Sequence, residues 1–193
     1  MKNIIILIGP MCAGKSTIAP LLAQKVNLPR YEMDELRWKY YRENGYDVDT
    51  SNRLVEEQGM EALFAYWKPF EVDAVERVVE DYDNCVIDFG AGHSVYENED
   101  HFKRVAAALQ RCAHVILILP TADEEESTEI LNKRLTTLLE HEVGKAEPAV
   151  LELNKYFIQH PSNHQLATMT VYTQNKTPEE TCQTIISKMK EIE

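Results

Sequence analysis

The sequence has no apolar run approaching the ~20 residues that cross a bilayer as a helix, so a helical membrane anchor is not expected. The opening Met-Lys-Asn-Ile runs too soon into a glycine-rich loop to read as a signal peptide. Positive charge is scarce: 20 Lys and Arg stand against 32 Asp and Glu, a formal net charge of −12. Binding a nucleic-acid backbone needs clustered cations, so a nucleic-acid partner is not expected either. The four cysteines, Cys12, Cys85, Cys112 and Cys182, lie far apart and form no C-x-x-C pair. That spacing suits neither a zinc site nor a disulfide framework; reduced thiols in a cytoplasmic protein are expected. Internal repeats and low-complexity segments are absent as well.

Hydrophobic residues make up 44% of the 193-residue chain, enough for the core of a single domain. Five short apolar runs, at Asn3–Ile8, Arg30–Met33, Cys85–Phe89, His114–Leu119 and Met169–Thr173, alternate with longer helical patterns. This alternation predicts an α/β fold, a three-layer α/β/α arrangement around a five-stranded parallel sheet. Helices over about 35–80 and about 123–162 are expected to add an acceptor-binding region and a lid. Gly144 and Pro148 divide the second of these, and Pro161 closes it. Thr177-Pro178-Glu179-Glu180 carries a capping box, and Thr121-Ala122-Asp123-Glu124 repeats the pattern. Pro20 breaks a local rule inside the first helix, where a kink or an irregular first turn is expected.

The most specific motif is Gly9-Pro10-Met11-Cys12-Ala13-Gly14-Lys15-Ser16-Thr17, directly after the run NIIILI. It satisfies G-x-x-x-x-G-K-[ST] and is followed by a helical pattern with Ile18, Leu21, Leu22 and Val26 on one face. Strand, glycine loop and helix is the context of a phosphate-binding P-loop. Its inward backbone amides and the helix N-terminus would cradle phosphate. Lys15 would reach the β- and γ-phosphates, Ser16 would ligate Mg²⁺, and Thr17 would start the helix near the α-phosphate. A nucleoside triphosphate and Mg²⁺ are thus the expected ligands. Cys12 reads as a small loop-filling residue; a redox sensor with a thiol activated by nearby amides is the alternative.

Carboxylates follow two of the other strand runs. Asp88 ends the apolar Cys85-Val86-Ile87 and has the character of a metal-side acid; capping the turn before Gly90 is its other reading. Glu32 and Asp34 stand two apart at the end of the second run, a spacing that puts both on one face of a strand. One carboxylate could order Mg²⁺ while the other accepts a proton from an attacking hydroxyl. Arg37 and His93 are further candidates for contact with an acceptor. Trp38 and Tyr41 read as helix packing or as the wall of an acceptor pocket.

These segments together resemble the shikimate kinase-like group of small P-loop kinases, within the nucleoside monophosphate kinase fold. Gly9–Thr17 matches the Walker A loop, and Glu32-Met33-Asp34 stands where the family has Asp-x-Asp. Tyr66-Trp67-Lys68-Pro69-Phe70-Glu71 is similar to its Phe-Arg-x-x-Glu helix, and Asp88-Phe89-Gly90-Ala91-Gly92 to its Gly-Gly-Gly loop. The resemblance implies ATP- and Mg²⁺-dependent phosphoryl transfer to a small hydroxylated metabolite. It makes Asp34 the contact to the acceptor hydroxyl and Lys68, Gly90 and Gly92 part of the acceptor site. Lys68 replaces an arginine that grips a carboxylate, and lysine cannot make the same fork. A lid arginine is also implied, for which Arg134 is the candidate. A nucleoside or nucleotide kinase, and a nucleotide-binding regulatory module with little turnover, remain alternatives.

Overall fold

A computed structural model describes residues 1–192 of the chain. Five strands, β1 (Lys2–Ile8), β2 (Arg30–Glu32), β3 (Cys85–Asp88), β4 (Cys112–Leu119) and β5 (Met169–Tyr172), form one parallel sheet in the order β2-β3-β1-β4-β5. All five fall on the apolar runs read from the sequence. β1 is the central strand, and its β-branched residues are buried on both faces. Ile4, Ile6 and Ile8 point to one side and Ile5 and Leu7 to the other, as the two-residue period of a strand requires.

The helices are α1 (Lys15–Val26), α2 (Met33–Glu43), α3 (Val48–Gln58), α4 (Met60–Asp81), α5 (Glu99–Leu109), α6 (Glu124–Val143), α7 (Pro148–Gln159), α8 (Pro161–Leu166) and α9 (Pro178–Ile192). On one face α1 and α9 cover the sheet through Ile18, Leu22, Cys182 and Ile185. On the other, α2, α4 and α5 do so through Met33, Tyr40, Val72, Val75, Val79 and Val105. The result is the expected three-layer α/β/α fold. α2–α4 occupy the region expected to bind an acceptor, while α6 and α7 pack on each other across Gly144, whose φ of 80° closes α6. Among the described residues, no helix is long and apolar enough to cross a membrane.

Register brings the site residues to one edge. Leu7 lies beside Asp88, and Asp88 beside Glu32, so the glycine loop after β1 and both carboxylates emerge together where parallel α/β sheets bind ligands. The capping box of α9 forms as expected: the Thr177 amide donates to Glu180 Oε2 at 2.8 Å and the Glu180 amide to Thr177 Oγ1 at 3.2 Å. Three expectations shift. Asp123 rather than Thr121 caps α6, accepting from the Glu126 amide at 2.8 Å. Pro161 opens the short α8 instead of ending a helix, as its preset φ allows at N1. β2 stops at Glu32, which adopts extended φ/ψ as the N-cap of α2, so Asp34 sits in a helical first turn.

α1 runs continuously through Pro20, whose ring is exposed on its outer face. The ring removes an amide that would bond to the carbonyl of Ser16, four residues earlier. Pro20→Ala should therefore stabilise the fold by about 1–3 kcal/mol, bounded by the helix-interior cost of proline. Urea unfolding of the variant checks this; an unchanged or lower midpoint would mean the helix is already relaxed around the ring.

Candidate active site

The glycine loop is built by backbone demands. Gly9 has φ +138°, and a Cβ there would stand 2.6 Å from the carbonyl oxygen of Ile118 on β4. The loop thus leaves β1 pressed against its neighbour, which only glycine permits. Cys12 adopts a left-handed φ of 60° and Gly14 one of 100°. Among the described residues, no backbone amide from 12 to 16 donates to a protein acceptor. These donors are left without a protein acceptor at the start of α1, a place that suits phosphate oxygens. The Met11 amide is the exception, donating to Asn154 Oδ1 at 2.9 Å. Asn154 is fully buried on α7 and its own amide donates to Asn132 Oδ1 on α6 at 3.3 Å. Sequence reasoning missed it, because an asparagine in a helix more than a hundred residues away carries no local sign of this contact.

Lys15 is buried, with Nζ donating to the carbonyls of Gly9 and Pro10 at 2.8 Å each. Burial pushes its pKa down to about 8, against the pull of Asp34 and Asp88. Ser16 and Thr17 stand exposed in the first turn of α1. The Cys12 thiol is pushed up by burial, which outweighs the pull of Lys15 and Arg134; an activated redox thiol does not fit. Arg134, exposed on α6, donates from Nη1 to the Cys12 carbonyl of the glycine loop at 3.3 Å.

On the acidic side, the expected pair on one strand face does not form. Glu32 pairs with Arg30 Nη1 at 2.7 Å, two residues back on β2. The same guanidinium grips Asp88 through Nε and Nη2, both at 3.0 Å. Arg30 thus answers both carboxylates proposed to face a metal. It was missed because its partner across the sheet is visible only once the β2–β3 register is known. Asp88 keeps a lone pair on each oxygen and can still take a water. Glu32, 40% exposed and already paired, is left as an anchor of β2.

Asp34 instead lies against the Gly90 turn. Its carboxylate is 57% exposed, receives Arg37 Nη1 at 3.4 Å and acts on the Lys15 ammonium. Gly90 has an ordinary extended backbone and is needed for space: a Cβ would collide with Asp34 Oδ1. At Gly92 a Cβ would sit 2.7 Å from Glu71 Oε1. Both glycines make room for carboxylates. Lys68 does not project toward a ligand. Its Nζ donates to Glu71 Oε2 at 2.7 Å, the Gly92 carbonyl at 2.9 Å and the Val95 carbonyl at 2.8 Å, which occupies all three of its N–H groups. Arg37 lies 4.6 Å from the Trp38 ring centroid and 5.6 Å from that of Trp67. His93 is 1% exposed, edge-on to Phe89, with its pKa pushed down to about 3 by burial and by Arg37 and Lys68, against Asp34. It is neutral at physiological pH.

A family model described as shikimate kinase matches residues 11–190. The chain belongs to the shikimate kinase family. A curated shikimate kinase of Aquifex aeolicus (strain VF5) is 31% identical over 100 residues, covering 52% of this chain and 53% of that protein; the match spans about half the length of that relative. Among solved structures, a shikimate kinase from Acinetobacter baumannii in complex with shikimate superposes with a TM-score of 0.68 at 17% identity, covering 100% of this chain and 96% of that one. The shikimate kinase of Aquifex aeolicus VF5 gives 0.58 at 23% identity over 98% and 97%. A gluconokinase from Sinorhizobium meliloti 1021 gives 0.60 at 13% identity over 99% and 93%. At these identities the structural likenesses establish the P-loop α/β fold of the family.

The Lys15 environment yields a stability prediction. Its folded pKa of about 8 lies below its ordinary 10.5, so between these values the unfolded chain binds more protons and stability rises with pH. Lys15→Met should be more stable than the parent by about 1–3 kcal/mol at pH 7, with the gap narrowing from pH 8 to 10.5. Urea unfolding of both proteins at pH 7 and pH 10 checks this; a gap that does not change with pH would refute it.

Proposed function

We propose that this chain is a P-loop small-molecule kinase that transfers the γ-phosphoryl group of ATP to a hydroxyl of a small hydroxylated metabolite. The observation that carries the reading is Asp34: an exposed carboxylate between the loop ammonium of Lys15 and the Gly90 turn, oriented by Arg37. A protein that only binds nucleotide needs no carboxylate there.

In this reading the amides of residues 12–16 hold the phosphates, and Lys15 leaves the Gly9 and Pro10 carbonyls to answer the β- and γ-phosphate charge. The residues present suit Mg²⁺, which retains several waters and takes few protein ligands: Ser16 would bind it directly and Asp88 through water. When bound, the metal neutralises charge on the transferring phosphoryl group. Asp34 accepts the hydroxyl proton as the acceptor oxygen attacks phosphorus and the bond to the ADP leaving oxygen breaks. Arg134 supplies positive charge from the α6 side. The four cysteines are free thiols, which suits the reducing cytoplasm.

The test is ADP formation with ATP and Mg²⁺ across pooled hydroxylated metabolites and nucleosides. Lys15→Ala should abolish acceptor-stimulated turnover. Asp34→Asn should keep ATP binding by calorimetry within about twofold and lower turnover by about 10²–10⁴-fold, the range of a lost general base. Full turnover in the Asp34 variant would remove it from the chemistry, and saturable ATP binding without stimulation by any pool would favour a regulatory nucleotide-binding module.

A further inference from the structure

The glycine loop is anchored at its two ends by backbone packing. Gly9 is pressed against the Ile118 carbonyl, and the Gly14 carbonyl accepts from the Thr17 and Ile18 amides at 3.1 and 2.9 Å. Among the described residues, three side chains bond to the loop backbone: Lys15 at Gly9 and Pro10, Arg134 at Cys12, and Asn154 at Met11. The first two are cations, for which phosphate competes. On the kinase reading above both turn their charge to the nucleotide and release the loop carbonyls. Asn154 carries no charge, so its hold on the loop does not compete with the ligand.

A relay of side-chain amides fixes which way Asn154 points. Asn132 Nδ2 donates to the Leu151 carbonyl at 3.3 Å, which leaves Asn132 Oδ1 to accept from Asn154 Nδ2, again at 3.3 Å. Asn154 Oδ1 is then the atom that accepts from the Met11 amide at 2.9 Å, while Nδ2 also lies 3.5 Å from the Met11 carbonyl oxygen. One fully buried side chain thus faces both polar groups of a single loop residue. Phe157, three residues along α7 and on the same helix face, joins Ala91 and Val95 in the apolar group against which Met11 packs. Met11 is therefore held through its backbone and its side chain from one face of α7.

The amides that follow, from residue 12 to residue 16, find no protein acceptor. Donors that are free yet already in place bind an anion without an ordering cost at the moment of binding, and in a stretch containing glycine that cost is large. Resting on the kinase reading above, we propose that Asn154 is a positioning residue of the phosphate loop. By fixing Met11 it holds the following amides in the shape that receives a polyphosphate. It thereby sets the affinity for the phosphate chain of the nucleotide and not for its base.

The full chain is titrated by calorimetry with ADP and with inorganic tripolyphosphate, each with Mg²⁺. Asn154→Leu keeps a similar volume and removes both polar atoms. It should weaken both ligands by about tenfold, the order of one lost hydrogen bond. Val105→Ala truncates a fully buried residue of α5 on the other face of the sheet. It should lower the urea midpoint and leave both affinities within about twofold, because distant sites act independently. Unchanged affinity in Asn154→Leu, weakening of ADP alone, or equal weakening by the two variants would overturn the inference and leave the kinase standing. No binding of either ligand to the parent would overturn both. Where Asn154→Leu does not fold, residue-level amide hydrogen exchange of the parent decides. The Met11 amide should be protected in the free chain, and those of residues 12–16 only with ADP and Mg²⁺ bound. A Met11 amide that exchanges as fast as its neighbours would overturn the inference.

Discussion

A positive charge held out of water is the constraint around which the rest of the molecule is arranged. Lys15 lies under its own loop, and desolvation lowers its proton affinity by more than two pH units. Such a charge is tolerable only where fixed dipoles and carboxylates answer it. The Gly9 and Pro10 carbonyls do so directly. Asp34 and Asp88 do so through space, and each depends on a further element: Asp88 on the β1–β3 register and the Arg30 fork, Asp34 on the start of α2 and the room left by Gly90. The glycine at position 9, the sheet order and the helix start are different parts of one electrostatic arrangement.

Around Asp34 the ion pairs are completed within the protein: Arg37 answers Asp34, and Lys68 answers Glu71. Asp34 is the more exposed of the two carboxylates and stands beside the Gly90 turn.

The sequence made some of this legible and hid the rest for identifiable reasons. The loop from Gly9 to Thr17, the five strands and the capping box at Thr177 were readable because each depends on residues within a few positions of one another. The start of α2 was misread because Glu32 and Asp34 satisfy a strand period as well as an N-cap and first turn. Arg30, Asn154 and the fate of Lys68 were out of reach because each is decided by a partner 24 to 143 residues away. Lys68, next to Pro69 in a helix, reads as part of an acceptor site by resemblance; only the turn folded against α4 reveals that its donors are taken. His93 is legible as a candidate, but its burial follows from the packing of the same turn.

Asn154 links two parts of the molecule that the sequence presents as separate. Its side chain accepts from the Met11 amide on the glycine loop and donates to Asn132 on α6. The shape of the loop and the seating of the α6–α7 pair are therefore not independent coordinates: a shift of α7 that breaks the first bond leaves the Met11 amide without its acceptor. Thermodynamic reciprocity then applies. Whatever stabilises the loop in this shape also favours the seated helical pair, each by the same coupling free energy, so occupancy of the loop is felt as stiffness some distance away.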